Sequence, residues 1–134
     1  MMRSGFRRSS GFTLIELLVV VAIIGILAGV VVGQYRRAIV KTKESVLKEN
    51  LFITRNAINQ YFADKGKYPY DIDALVEDKY LKARPFDPIT ESNETWIEIA
   101  AEMDETDLSL EPGMADLRSG SSGVAMDGSA FADW

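Results

Sequence analysis

Glu16 is the only charged residue between Phe12 and Tyr35, in a run that is otherwise mostly apolar. A carboxylate in hydrocarbon costs about 2.5–3.5 kcal/mol at a helix centre and less near an interface. A side chain that costly has a partner or a task, and the chemistry open to it is charge pairing. The natural partner is a positive group on a neighbouring chain. Cleavage of the peptide bond before Phe12 would expose one, a new α-amino terminus. Such a pair would set the axial register of packed helices, a known use of a buried ionic group.

Other chemistry is scarce. The chain of 134 residues has no cysteine and no histidine. Disulfides, thiolate ligands and thiol nucleophiles are thereby excluded. The commonest general base, the Ser-His-Asp triad and the usual zinc ligand are missing as well. There is no glycine-rich string of the P-loop type, and the acids are scattered with no paired-carboxylate motif. An enzyme is therefore not expected. The formal net charge of −5 conceals a division. Residues 1–11 carry +3 through Arg3, Arg7 and Arg8; residues 12–35 carry −1; residues 36–67 carry +5; residues 68–134 carry −12. So acidic a C-terminal half argues against a nucleic-acid partner. The asymmetry suits a chain that lives in several environments.

The elements that must position Glu16 follow from hydropathy. Phe12 to Val32, about 21 residues, is long enough at roughly 1.5 Å per residue to span a hydrocarbon core of about 30 Å. A cleaved secretory signal has a shorter apolar stretch of roughly 7–15 residues. An ordinary single-span anchor accounts for the length but not for Glu16. Gly25, Gly29 and Gly33 recur every fourth residue and fall on one helix stripe, the small-xxx-small pattern that lets helices approach closely. The same glycines also loosen a helix, so packing and flexibility both remain open.

From Tyr35 the pattern turns amphipathic. Val46, Leu47, Leu51, Ile58, Tyr61 and Phe62, supported by Val40 and Ala57, fall near helical spacing, with Lys, Arg and Asn across much of the other face. One continuous helix is expected from about Thr13 to Lys65, stopped by Gly66 with Pro69 beyond. Arg36, Arg37, Lys41 and Lys43 are placed to meet lipid head groups or the acidic half of a neighbouring subunit, or to stay solvated. A second helix is expected over Ile72–Lys79 with Asp71 as N-cap. Arg84–Asn93, with Pro85 and Pro88, reads as a loop. Thr95–Ala101 reads as a strand with Ile97 and Ile99 on one face. Leu108–Leu110 and Met114–Leu117 are weaker strand candidates around Pro112-Gly113, and Ser119–Ser129 reads as a loop. The expected class is α+β, a long N-terminal helix packed against a small antiparallel sheet. The chain divides into a basic leader (1–11), an apolar helical segment (12–35) and a globular domain (36–134).

The string Arg7-Arg8-Ser9-Ser10-Gly11-Phe12-Thr13-Leu14-Ile15-Glu16-Leu17-Leu18 resembles the class III signal of type IV pilins and type II secretion pseudopilins. The resemblance implies that a prepilin peptidase cuts after Gly11 and methylates Phe12, and that Glu16 directs assembly. It implies a leader left in the cytoplasm, in keeping with Arg3, Arg7 and Arg8, an inner-membrane anchor and a periplasmic C-terminal domain. Where many members have a proline, this chain has Gly33. Lys65-Gly66-Lys67-Tyr68-Pro69 and Tyr80-Leu81-Lys82-Ala83-Arg84-Pro85-Phe86-Asp87-Pro88 are similar to strings of the G-type major pseudopilins. That likeness implies a subunit of a type II secretion pseudopilus that helps export folded proteins. Its implied partners are copies of itself, minor pseudopilins and the inner-membrane secretion platform. The alternative is a type IV pilus subunit serving adhesion, motility or DNA uptake.

The G-type resemblance also implies calcium in a C-terminal loop rich in Gly and Asp. The corresponding ligands here are Asp116, Asp127 and Asp133, with the Leu117 carbonyl, toward the six to eight oxygens calcium takes. The stretch is shorter than the family's loop, and Gly120 to Gly123 carries serines where the family has an Asp-Gly pair. The same Asp and Gly residues also suit plain turns.

Overall fold

A computed structural model describes residues 10–102 and 112–134. The chain divides into two units, one ending at Ala38 and one running from Ile39 to Trp134. Helix α1, Leu14–Lys65, enters both and matches the expected bounds to within a residue. In the first unit it is the one helix among the described residues that is long and apolar enough to cross a membrane. Its large side chains, from Leu14 to Val32, are exposed in the single chain.

In the second unit α1 buries Leu47, Leu51, Thr54, Ala57, Ile58 and Tyr61. Successive positions stand one, three or four residues apart, and at about 100° per residue all six fall on one stripe of the helix. Thr54 enters that stripe because its Oγ1 donates to the Asn50 carbonyl at 2.7 Å, which satisfies the hydroxyl locally. Three residues expected in the core are not there: Val40, Val46 and Phe62 each remain 42% exposed. Val46 and Phe62 lie beside the stripe, since one helix position turns a side chain by roughly 100°, whereas Val40 is in line with it but precedes its first buried residue, Leu47. Phe62 instead rests on Tyr68, with ring centroids 4.5 Å apart.

Gly66 ends α1 with φ of +71°, a left-handed conformation that glycine adopts without penalty, and its N–H donates to the Phe62 carbonyl at 2.8 Å. Helix α2, Ile72–Glu77, follows and stops short of the expected Lys79. Asp71 caps it, Oδ1 accepting the Ala74 N–H at 2.8 Å. Lys79 has φ of +65°, outside helical geometry, and this is why the helix closes early. Ile72 and Leu75 are fully buried and join the α1 stripe in the core with Leu81, Trp96, Met114, Leu117, Ala125 and Phe131.

Strands β1, Ile97–Ala100, and β2, Met114–Arg118, pair antiparallel. The register sets Ile97 opposite Arg118, Glu98 opposite Leu117 and Ile99 opposite Asp116, then slips so that Ala100 faces Met114. The slip leaves Ala115 as the extra residue of a β-bulge. Ile97 and Ile99 do not form the core face. Ile97 is 50% exposed, whereas Leu117 is fully buried, and residues opposite one another share a face. The core side of β1 is filled from its neighbours, by Trp96 before it and Leu117 and Met114 across from it. The candidate strand Leu108–Leu110 lies outside the described residues.

Two further contacts hold the loops. Asp87, fully buried, accepts the Ile89 N–H at 2.8 Å through Oδ1 and the Ser119 hydroxyl through Oδ2. Gly120 follows directly, and a Cβ there would stand 1.9 Å from the Thr95 carbonyl oxygen. The Pro85–Asn93 loop and the chain after β2 are thereby pinned to each other.

Leu117→Ala should lower the stability of the full chain by about 2–5 kcal/mol, the usual range for a buried leucine. Ile97→Ala should stay within about 1 kcal/mol of the parent. Chemical denaturation in detergent checks both; equal losses would mean that the sheet faces are wrongly assigned.

Candidate functional site

The N-terminal site is built on the start of α1. Gly11, Phe12 and Thr13 precede the helix outside regular secondary structure, and Phe12 is 83% exposed. The Gly11–Phe12 peptide bond is thus free of helical hydrogen bonding and open to an enzyme. Thr13 and Glu16 form a reciprocal pair. The Glu16 N–H donates to Thr13 Oγ1 at 3.3 Å, and the Thr13 N–H donates to Glu16 Oε2 at 2.9 Å. This is a capping box: two backbone donors at the helix start, which have no intrahelical partner, are satisfied by side chains three residues apart. It also holds a negative charge at the positive end of the helix dipole. The Thr-x-x-Glu spacing is the sequence signature of this box, and it is independent of any pairing between chains.

Gly25, Gly29 and Gly33 each have nothing within 4 Å of where a Cβ would stand. Among the described residues, then, nothing occupies the stripe, and the large apolar side chains around it are exposed. What the unit offers is a smooth apolar surface with a close-approach strip and one carboxylate at its beginning.

At the other end, the four candidate calcium ligands are not drawn together. Among the described residues no group of three or more acidic side chains stands close enough to hold a metal ion. Asp116 Oδ1 accepts Arg55 Nε at 2.7 Å, and the Leu117 carbonyl accepts Arg55 Nη2 at 3.0 Å. The same Nη2 reaches the main-chain oxygen of Trp134 at 2.7 Å. Asp127 turns to its own loop, where Oδ1 accepts both the N–H and the hydroxyl of Ser129, at 2.9 and 2.6 Å. Asp133 lies in a short 3-10 turn, Phe131–Asp133. The donor set therefore does not fit a calcium ion: two of its oxygens already face a guanidinium and a third closes an Asx turn.

Arg55, which no motif singles out, stands four residues after Leu51 and three before Ile58, beside the buried stripe. Lys43, for which lipid, a neighbouring subunit and solvent are the expected surroundings, pairs with Glu91 of its own chain at 2.9 Å.

The comparisons with known proteins agree with the geometry. Residues 6–32 match the family model described as the prokaryotic N-terminal methylation motif. The chain is 38% identical over 98 residues to the type II secretion system core protein G of Pseudomonas aeruginosa, covering 61% of this chain and 69% of that protein. It is 34% identical over 98 residues to the core protein G of Aeromonas hydrophila, covering 61% and 68%. Against the fimbrial protein EcpC of Eikenella corrodens it is 37% identical over 78 residues, 54% of this chain, and spans about half (51%) of that relative. No solved structure matches the chain. A long apolar helix with a methylation motif, and a small α+β unit with a two-stranded sheet, define the pilin-like class. Within it, the chain belongs to the family of the type II secretion system core protein G.

The Asp127 carboxyl is held below its ordinary range, chiefly by the Ser129 hydroxyl and then by the Ser129 N–H. A lowered folded-state pKa stabilises the loop above the ordinary carboxylate range, and that contribution disappears as pH falls through the lowered value. Ser129→Ala should move the Asp127 titration upward toward the ordinary value. Carbon-detected NMR titration of the side chain checks this; an unchanged titration would contradict the assigned cause.

Proposed function

We propose that the protein is a structural subunit of a type II secretion pseudopilus. It is processed between Gly11 and Phe12 by a prepilin peptidase, which also methylates Phe12, and it polymerises to help export folded proteins. The observation that carries this reading is an exposed apolar helix that bears a methylation motif and one carboxylate at its start. In the membrane, lipid covers that helix. In the filament, neighbouring helices take the place of lipid, with Gly25, Gly29 and Gly33 allowing close approach. Glu16 then meets the new amino terminus of Phe12 on a neighbour, and the charge pair fixes the stagger.

The basic leader with Arg3, Arg7 and Arg8 stays on the cytoplasmic side, which puts the 36–134 domain in the periplasm. The partners in this reading are other copies of the chain, the peptidase, minor pseudopilins and an inner-membrane secretion platform. A type IV pilus subunit is the second reading. It is favoured by the 43% identity over 61 residues to the type IV major pilin PilA of Myxococcus xanthus. That match covers 46% of this chain and 28% of that pilin, whereas the core protein G matches reach 61% of this chain, so the pseudopilus reading is preferred. A tethered binding module that never assembles would need neither the Gly11-Phe12 junction nor Glu16.

In cells that hold the peptidase, the mature chain should begin at methylated Phe12, as read by N-terminal sequencing or mass spectrometry. Glu16→Ala should still insert in the membrane and fold, but sedimentable filaments should fall by more than about tenfold. Stripping one partner from a buried charge pair costs about 2–5 kcal/mol. A chain that keeps its leader, or a Glu16→Ala variant that assembles normally, would defeat the proposal.

A further inference from the structure

The C-terminal segment is drawn onto α1 by protein-borne cations. Arg55 bridges three oxygens on two stretches of chain: Asp116 Oδ1 at 2.7 Å and the Leu117 carbonyl at 3.0 Å on β2, and the main-chain oxygen of Trp134 at 2.7 Å. A planar guanidinium with a fixed fork of donors suits that task better than a point charge does. Two more cations stand in the same region. Lys48 Nζ lies 4.3 Å from the centroid of the Trp134 ring, and Arg118 Nη1 approaches the Ala132 carbonyl at 3.4 Å. Further contacts then close the loop. Trp134 Nε1 donates to Ser129 Oγ at 2.7 Å, and the Phe131 and Trp134 rings meet edge to face at 5.0 Å.

We propose that Arg55 is the resident cation of this loop, doing by hydrogen bonds what a bound divalent ion does in a calcium-loaded loop, so that the domain folds and stays closed without metal. Two arguments converge. Two of the oxygens an ion would need, on Asp116 and Leu117, are already taken by the guanidinium. An incoming divalent cation would also meet the positive charges of Arg55, Lys48 and Arg118, and like charges at such range repel. The departure from the implied loop pattern, serines at Ser121 and Ser122 in place of an Asp-Gly pair, fits the same account, since it removes a carboxylate that only a metal would use.

The test uses the purified full chain in detergent micelles and is independent of filament assembly. Thermal melts are recorded with calcium chloride in millimolar excess and with a chelator, and calcium is titrated calorimetrically. Tryptic cleavage after Arg118 reports whether the C-terminal segment has opened. The parent chain is expected to melt at the same temperature in both solutions and to give no saturable heat. Arg55→Gln is expected to melt several degrees lower and to be cut several-fold faster after Arg118. Arg55→Lys, which keeps the charge but loses the fork, is expected to fall between the two. Saturable calcium binding by the parent with a raised melting temperature would overturn the proposal, as would an Arg55→Gln variant as stable and as protease-resistant as the parent. If neither variant folds, the calcium titration of the parent still decides: saturable binding refutes resident-cation closure, and its absence supports it.

Discussion

The apolar surface of α1 from Leu14 to Val32 imposes the main constraint on this molecule. Each large aliphatic side chain left in water forgoes about 1.5–3 kcal/mol relative to full burial. Leu14, Ile15, Leu18, Ile26 and Val31 are all more than 60% exposed in the single chain. These side chains belong to the first unit, whereas the buried core lies in the second. An apolar surface of that kind calls for an apolar cover, lipid or a sister helix. Lipid and sister helices are equivalent in polarity, so exchange between them carries little hydrophobic gain. What distinguishes the two is packing at the glycines and the fate of the one carboxylate.

Glu16 gains interest from having a local solution. In the single chain it closes a capping box with Thr13, and the helix start is satisfied without any neighbour. A carboxylate so employed is cheaper to hold near a membrane interface than a bare one, because its charge faces the positive end of the helix. The box does not neutralise the residue, since backbone N–H donors carry no net charge. In the reading proposed, the amino terminus of a processed neighbour supplies the missing unit charge. Thr13 would keep Glu16 in place before assembly, and the amino group would complete it afterwards.

Much of this was legible in the sequence where local chemistry decides. The bounds of α1, the Gly66 stop and the Asp71 cap all rest on residue types acting within a few positions of themselves. Local reading failed where a distant segment chooses. Ile97 and Ile99 alternate as a buried strand face should, yet the core side of the sheet is filled by Trp96, Leu117 and Met114. Val46 and Phe62 are apolar at nearly helical spacing, and a narrow stripe leaves them out. The Asp87–Ser119 contact joins residues far apart in sequence, and an Asp-Pro string gives no hint of its partner. The candidate calcium ligands were chosen by residue type on one stretch of chain, while the group that faces them comes from α1.

Charge shows the same logic at larger scale. The chain separates a basic stretch, residues 36–67, from an acidic remainder, which invites the view that the two attract between subunits. Part of that attraction is already used inside one chain. Lys43 meets Glu91, Arg55 meets Asp116 and Lys65 meets Asp78, each pair joining α1 to a later segment of the same domain. These pairs are partly exposed and individually weak, worth about 0–1 kcal/mol each in water. Their value lies in direction. Spread along the second half of α1, they fix which face of the helix the acidic segments may approach. The cations of α1 thus orient the acidic segments within one chain, and in the filament proposed the selective contacts are left to the glycine stripe and Glu16 in the first half of the helix.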